Sequence, residues 1–184
     1  MRHRDTAATP ATLRGAEGYR FAVLVSRFNQ DITDALRTGA RAALTEAGAA
    51  DEDVEEFAVP GAFELPQAAR AIAETGHYDA VVCLGCVIRG ATPHFEYISA
   101  AVAHGIMAAA GDTGIPMAFG VLTTDTLAQA EERAGDGPDN KGREAAAAAL
   151  DLAALFRRIG RPPARAIGSR RFGFEQSDHA DPQP

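Results

Sequence analysis

A chain of 184 residues is long enough to bury one substantial core and too short for two domains of ordinary size. Its formal net charge of -7 argues against nonspecific binding of nucleic acid or of anionic membranes, so a bound phosphate would need a local site. No apolar run reaches the length of a membrane span and residues 1–17 lack the apolar core of a signal peptide, so we expect a soluble, cytoplasmic protein.

Strand and helix patterns alternate along the middle of the chain, between polar stretches at residues 1–17 and 161–184 that we expect to be tails. The predicted domain therefore covers residues 18–160. The predicted strands are residues 19–26, 54–59, 80–87 and 116–122. The predicted helices are residues 31–47, 64–74, 95–110, 124–134 and 140–159. Because single helices between successive strands require right-handed crossovers, this order predicts a three-layer α/β sandwich with a four-stranded parallel sheet.

Two of the predicted helices have further sequence features that support their assignment. Asp31 is the candidate N-cap of the first helix. The last helix has an apolar stripe with spacings of three, four and seven residues, which is typical of an amphipathic helix. The stripe consists of Leu152, Leu155, Phe156 and Ile159.

The segment after the third predicted strand combines the features of an anion site. Residues 80–87 form a continuous apolar run, as in a parallel strand covered on both faces. Gly90 permits a sharp turn, Thr92 is the predicted N-cap of the next helix, and Pro93 is its predicted first residue. The N–H groups of that helix would then point towards the end of the strand. His94 follows at once, and its side chain can exchange protons near neutral pH.

The two cysteines, Cys83 and Cys86, form a CxxC sequence that could indicate a redox pair or half of a zinc site. On a strand, a separation of three residues places their side chains on opposite faces, beyond the reach of a disulfide. We therefore expect two buried structural thiols.

Ligands bind parallel α/β sheets at the carboxyl ends of the strands, so the residues that follow the other strands are also candidates. Phe28 and Asn29 follow the first strand and suit a planar heterocycle, by stacking and by hydrogen bonding. A hydrophobic staple and turn chemistry are the open alternatives. Glu64, after the second strand, could accept hydrogen bonds from a polyol, or could simply be a favourable acid in the first turn of a helix.

Two cationic side chains near the last two helices can likewise be interpreted as functional or as structural. Arg133 could hold a phosphate, or could be a favourable cation at a helix C-terminus. Lys141 opens the last helix, where a cation opposes the helix dipole, and this unfavourable position suggests a functional reason. The sequence contains neither G-x-G-x-x-G nor G-x-x-x-x-G-K-[ST], which argues against the usual dinucleotide and nucleoside-triphosphate sites.

Five motifs, taken in this order, resemble the lumazine synthase family. They are SRFN at 26–29, VPGAFELP at 59–66, GCVIRGATPHFEY at 85–97, FGVLTTDT at 119–126 and NKG at 140–142. The resemblance covers about residues 19–159 and implies a flavodoxin-like fold. It also implies the penultimate step of riboflavin biosynthesis, in which 5-amino-6-ribitylaminouracil condenses with 3,4-dihydroxy-2-butanone 4-phosphate. The products are 6,7-dimethyl-8-ribityllumazine, phosphate and water, and no metal or redox cofactor is expected.

The resemblance also implies roles for individual residues. His94 would transfer protons. The ribitylaminouracil would contact Phe28, Asn29, Ala62, Phe63, Glu64, Cys86, Val87, Ile88 and Phe119. The butanone phosphate would contact Ala91, Thr92 and Arg133, with Lys141 as a further candidate near the substrates.

Members of the family form pentamers, in which Phe119 and Arg133 of one chain complete the site of the next, and some assemble twelve pentamers into an icosahedral shell. Residues 135–140 are a short connection here, which favours the shell. Two other classes of protein remain as alternatives. One is a noncatalytic flavin- or pterin-binding module, and the other is a purely structural shell protein on the same fold. Neither would need His94 together with Arg133.

Overall fold

The computed structural model describes residues 15–160, which form a parallel sheet covered by helices on both faces. The strands are β1 (Phe21–Ser26), β2 (Val54–Val59), β3 (Ala80–Ile88) and β4 (Met117–Thr124). The helices are α1 (Gln30–Glu46), α2 (Leu65–Glu74), α3 (His94–Thr113), α4 (Leu127–Ala134) and α5 (Lys141–Arg158). The sheet order is β2-β1-β3-β4, and every neighbouring pair is parallel. This architecture confirms the predicted three-layer, flavodoxin-like fold.

Two apolar cores lie on opposite faces of the sheet because successive side chains of a strand point to opposite sides. One core joins the sheet to α1, α4 and α5, and the other joins it to α2 and α3. Strand β3 is central and is fully buried from Ala80 to Cys86, which explains its continuous apolar sequence. Cys86 belongs to the first core and Cys83 to the second, and both thiols are free, as predicted.

The structure corrects two predicted helix caps, and it moves the start of the fourth helix from Thr124, which ends β4, to Leu127. Helix α1 begins at Gln30, and its N-cap is Asn29 in the left-handed conformation, so Asp31 lies in the first turn and is not the cap. Helix α3 begins at His94 after Pro93, and no side chain caps it, so the predicted capping role of Thr92 is wrong. Proline fixes a favourable φ at this position, and the first amides of the helix are left without a side-chain acceptor.

Asn140 opens α5, as predicted, and joins it to two other helices. Its Oδ1 accepts hydrogen bonds from the amides of Gly142 (2.8 Å) and Arg143 (3.2 Å). Its Nδ2 donates to the carbonyl oxygens of Ala35 (3.2 Å), Ala134 (2.8 Å) and Gly135 (3.1 Å). The side chain is buried, so these bonds replace all of its contacts with water.

The apolar stripe predicted on α5 is mostly exposed to solvent in the single chain. Leu152 and Leu155 are more than a third exposed, and Ile159 is 63% exposed. The face that packs on the core is made of small side chains, which allow the helix to approach the sheet and α1 closely. Its buried residues are Gly142, Ala145, Ala146, Ala149, Leu150 and Ala153.

The packed part of the chain begins slightly before the predicted domain. Ala16 is fully buried, and the amides of Gly15 and Ala16 donate to the carbonyl oxygen of Ala47 at 3.1 and 3.0 Å. Residues 15–17 therefore pack on the domain, whereas the remainder of both predicted tails lies outside the described residues. Within residues 15–160, no helix is long and apolar enough to cross a membrane, and no three His, Cys, Asp or Glu side chains are grouped as metal ligands.

Candidate active site

Residues from the ends of β1, β2 and β3 surround one cavity at the carboxyl edge of the sheet. Its volume is about 370 Å³. We call it the histidine cavity because His94 lines it. The other lining residues are Phe28, Gly61, Ala62, Phe63, Cys86, Val87, Ile88, Gly90, Thr92, Phe95 and Ile98. Eight of the predicted site residues are therefore close together, although they come from three separate segments of the chain.

The walls of the histidine cavity are mainly apolar, with two exposed aromatic rings. Phe28 is 69% exposed and Phe63 is 58% exposed, so both rings are free to contact a ligand. At the base of the cavity, burial raises the pKa of the Cys86 thiol to about 11, which keeps the thiol neutral at physiological pH. Such a surface suits a planar, uncharged ring.

The rim near His94 is formed by the start of α3. His94 is the first residue of this helix and its side chain is exposed. The first amides of a helix have no acceptor within the helix, and they favour an anion in front of them. Gly90 and Thr92 lie in the loop just before this helix end and line the cavity. The cavity thus combines an apolar floor with a rim that suits a phosphate.

Three predicted residues adjoin the histidine cavity without lining it. Asn29 donates its Nδ2 to the carbonyl oxygen of Cys86 at 2.9 Å, which joins the end of β1 to β3. With its φ of 58°, this arrangement agrees with the turn-chemistry interpretation of Asn29. Glu64 ends a short 3₁₀ turn and is half-buried. Ala91 is exposed between the two lining residues Gly90 and Thr92.

The remaining predicted residues line a separate groove of about 430 Å³ between β4, α4 and α5. We call it the cation groove because Arg133 and Lys141 both line it. Phe119, in the edge strand β4, is 45% exposed there. Arg133 donates to the carbonyl oxygen of Gln129 at 2.9 Å, and Lys141 pairs with Glu144 at 2.5 Å. No lining residue of the histidine cavity lines this groove, so the predicted site residues of a single chain form two separate groups, which we call the half-sites.

Sequence analysis missed two apolar lining residues and one ionic cluster. Phe95 and Ile98 line the histidine cavity from α3, and their spacing of three residues was the available signal. Arg89 lies just after β3, where its Nε donates to Asp125 Oδ1 at 2.6 Å and its Nη1 donates to Glu96. Asp125 is distant from Arg89 in sequence, so only the fold brings them together.

Comparison with known proteins places the chain beside proteins of one name. The family model described as 6,7-dimethyl-8-ribityllumazine synthase matches residues 18–157. A protein of that name from Syntrophus aciditrophicus (strain SB) is 54% identical over 144 residues, which are 78% of this chain and 94% of the relative. Another from Anaeromyxobacter dehalogenans (strain 2CP-C) is 53% identical over 148 residues, covering 80% of this chain and 91% of the relative. The similarity therefore extends over the whole described fold.

Proposed function

The chain belongs to the 6,7-dimethyl-8-ribityllumazine synthase family, and from this premise we propose the reaction that it catalyses. It is a transferase of riboflavin biosynthesis that condenses 5-amino-6-ribitylaminouracil with 3,4-dihydroxy-2-butanone 4-phosphate. The products are 6,7-dimethyl-8-ribityllumazine, phosphate and water. The observation that carries this proposal is the histidine cavity, which joins an aromatic floor to a helix N-terminus with His94 at the junction.

The apolar part of the histidine cavity is the proposed site of the ribitylaminouracil. The exposed ring of Phe28 stacks on the heterocycle, with Ala62 and Phe63 beside it. The backbone groups of residues 86–88 bind the polar edge of the heterocycle, and Glu64 accepts hydrogen bonds from the ribityl hydroxyls. Asn29 contributes to this site indirectly, because its side-chain amide already donates a hydrogen bond to the carbonyl oxygen of Cys86.

The rim of the cavity is the proposed site of the butanone phosphate. The backbone at Ala91 and the hydroxyl of Thr92, which does not cap α3, lie beside the helix N-terminus. Arg133 of a neighbouring chain supplies the cation for the phosphate, and Lys141 of the same neighbour lies near the substrates. This arrangement holds the phosphate as a leaving group close to His94.

The proposed reaction begins when the amine of the uracil attacks the ketone and loss of water gives an imine; the later ring closure releases a second water. Elimination of phosphate, tautomerisation of the enol and ring closure follow. His94 transfers the protons of these steps, and a well-placed general acid–base accelerates a reaction by roughly 10²–10⁴. Holding two reactants in contact contributes further, because it converts a bimolecular step into an effectively unimolecular one. None of these proposed steps requires a metal or a redox cofactor.

A ring of identical chains is the proposed form of the active enzyme. A head-to-tail interface can bring the cation groove of one chain to the histidine cavity of the next, and such an interface gives a ring when the rotation between successive chains closes. Large apolar side chains are exposed in the single chain, among them Phe28, Phe119, Tyr97 and Met107. Their burial between chains would explain this exposure. We propose a homopentamer. Because the connection at residues 135–140 is short, we also propose that the pentamers assemble into a sixty-subunit shell.

The proposed location is the cytoplasm, and the proposed reacting unit is residues 18–160. Cys83 and Cys86 are both free, and free thiols are commonest where the surroundings are reducing. The family match ends at residue 157, so we assign residues 161–184 no part in the reaction. Residues 1–17 are likewise assigned no chemical role.

The proposed function is tested by mixing purified protein with both substrates and following the fluorescence of the lumazine product. We expect product to form well above the uncatalysed rate. A rate equal to the background would reject the enzyme. In that case, tight binding of a flavin or pterin would favour the binding module, and assembly without binding would favour the structural shell.

A further inference from the structure

An ionic cluster lies beside the loop that carries His94. Arg89 donates through Nε to Asp125 Oδ1 at 2.6 Å and through Nη1 to Glu96. Its guanidinium carbon lies 4.2 Å from the ring centroid of Phe95, at cation–π distance. We call Arg89, Glu96 and Asp125 the Arg89 cluster.

The Arg89 cluster encloses the functional loop from both ends. Arg89 directly follows β3 and Glu96 lies in the first turn of α3, so their ion pair closes the segment that contains Thr92 and His94. The backbone of the same arginine is also fixed, because its amide donates to the carbonyl oxygen of Thr124 at 2.9 Å. The loop is thus joined to the end of β4 at two points.

Asp125 is itself held in place. Its amide donates to Gln129 Oε1 at 2.9 Å, and Gln129 belongs to α4, the helix that also carries Arg133. The Arg89 cluster therefore links the histidine cavity, through β4, to the element that bears the cation groove.

The charges of the cluster argue against direct binding of phosphate by Arg89. One guanidinium faces two carboxylates, so the cluster has a net negative charge and repels an anion. The planar surface of the guanidinium is also covered by Phe95, which lines the histidine cavity. The arrangement therefore fits a structural constraint on the loop rather than a substrate ligand.

We propose that Arg89 is a positioning residue, which fixes Thr92 and His94 for the condensation by joining Glu96 and Asp125 and by packing on Phe95. This inference rests on the proposed function. Exposed ion pairs contribute little to global stability, and Arg89 is 43% exposed, so its loss should not unfold the protein. Catalysis is more sensitive, because a displacement of about 1 Å at a reacting group can lower a rate by roughly a hundredfold.

The test compares Arg89→Ala and Arg89→Lys with the matched control Arg70→Ala. Arg70 also joins two carboxylates, Glu74 and Asp112, each at 2.9 Å; it is 51% exposed and lines neither the histidine cavity nor the cation groove. For Arg89→Ala we expect kcat to fall roughly tenfold to a hundredfold while KM for both substrates changes less. Lysine should restore only part of the rate because its compact ammonium lacks both the planar fork that spans the two carboxylates and the flat face that packs on Phe95. Arg70→Ala should keep the wild-type kcat and KM.

A second measurement does not depend on activity. Hydrogen exchange followed by mass spectrometry should show faster exchange in peptides covering residues 90–98 of Arg89→Ala, and no change there in Arg70→Ala. An unchanged exchange rate or an unchanged kcat would overturn the proposal. A selective rise in KM for the butanone phosphate would overturn it too, since it would make Arg89 a direct ligand. Inactive wild-type protein would reject the proposed function alone, and exchange would then decide this inference.

Discussion

At the scale of single residues, the chemistry depends on where the backbone places ordinary side chains. His94 is exposed and is the first residue of a twenty-residue helix, so it lies beside amides that attract an anion. Phe28 and Phe63 expose their rings in the same cavity because the strands before them end there. The groups that we propose for proton transfer, stacking and anion binding are therefore adjacent without a buried charge.

Replacement of His94 and of Arg133 should have different kinetic effects. We expect His94→Ala to lower kcat by roughly 10²–10⁴ without abolishing turnover, because the held reactants still meet. Arg133→Ala should mainly raise KM for the butanone phosphate, roughly tenfold to a hundredfold, since a hydrogen bond to a charged group is lost. Steady-state kinetics with each substrate varied in turn measure both effects. Wild-type kinetics in His94→Ala would remove His94 from the active site.

The two thiols should be unreactive in the folded protein. Burial raises the pKa of Cys86 to about 11 and that of Cys83 to about 12. At pH 8 almost no thiolate exists in the folded state, whereas the unfolded chain ionises at its ordinary pKa of about 8.5. The unfolded state therefore loses protons first, so the thiol contribution to stability declines as the pH rises above about 9.

Alkylation with iodoacetamide checks the prediction for the thiols. We expect modification at pH 8 to be slow in the folded protein and rapid in urea. Thermal unfolding between pH 8 and pH 11 should show a falling Tm, with Cys83→Ala less sensitive to pH than the wild type. Rapid alkylation of folded protein at pH 8 would contradict the assigned burial.

At the scale of helices and strands, most of the architecture could be predicted because the periodicity of apolar residues in the sequence agrees with the burial of those residues in the fold. The continuous apolar sequence of β3 requires cover on both faces, and the fold supplies it. Helix starts were less predictable, since Asp31 and Thr92 have good capping side chains at positions where the backbone uses Asn29 and Pro93 instead. The half-sites were predictable only as separate motifs, because contacts such as Arg89 with Asp125 depend on the order of strands in the sheet.

Asn140 gives a test at this scale because it joins α5 to α1 and to the end of α4. Asn140→Ala should lower the free energy of unfolding by about 2–4 kcal/mol, since it leaves buried amides and carbonyls unpaired. Thr126→Ala is the matched control, because Thr126 caps α4 with one exposed hydrogen bond at 3.2 Å. Loss of this capping hydrogen bond should lower the free energy of unfolding by only about 1 kcal/mol. Urea unfolding at one protein concentration measures the free energy of unfolding of both variants. Equal decreases in the two variants would contradict the special role of Asn140.

At the scale of the whole molecule, the two groups of residues proposed to form one active site lie apart in the single chain. The histidine cavity lies at the ends of β1, β2 and β3, whereas the cation groove lies between β4, α4 and α5. Exposed apolar side chains occur near both, including Phe28 at the cavity and Phe119 at the groove. We therefore expect each half-site to be completed by a second chain.

The assembly should have a mass set by a closed ring or by a shell of rings. We expect light scattering on purified protein to show a particle far larger than five times the chain mass of 19.3 kDa, as a sixty-subunit shell requires. A mass near five chains would contradict the shell and keep the pentamer. A monomer with full activity would contradict both.

Subunit mixing tests whether a neighbouring chain completes the site. His94→Ala chains retain Arg133, and Arg133→Ala chains retain His94, so neither assembly has an intact site alone. In a ring of equal and randomly mixed chains, about one quarter of the interfaces join an intact histidine cavity to an intact cation groove. At butanone phosphate concentrations well below the raised KM of Arg133→Ala, coexpression should therefore restore about a quarter of the wild-type turnover. His94→Ala mixed with Phe28→Ala is the matched control, because both changes affect the same half-site and should restore nothing. If neither mixture gains activity, the site is not shared between chains; if both gain equally, the division into two half-sites is wrong.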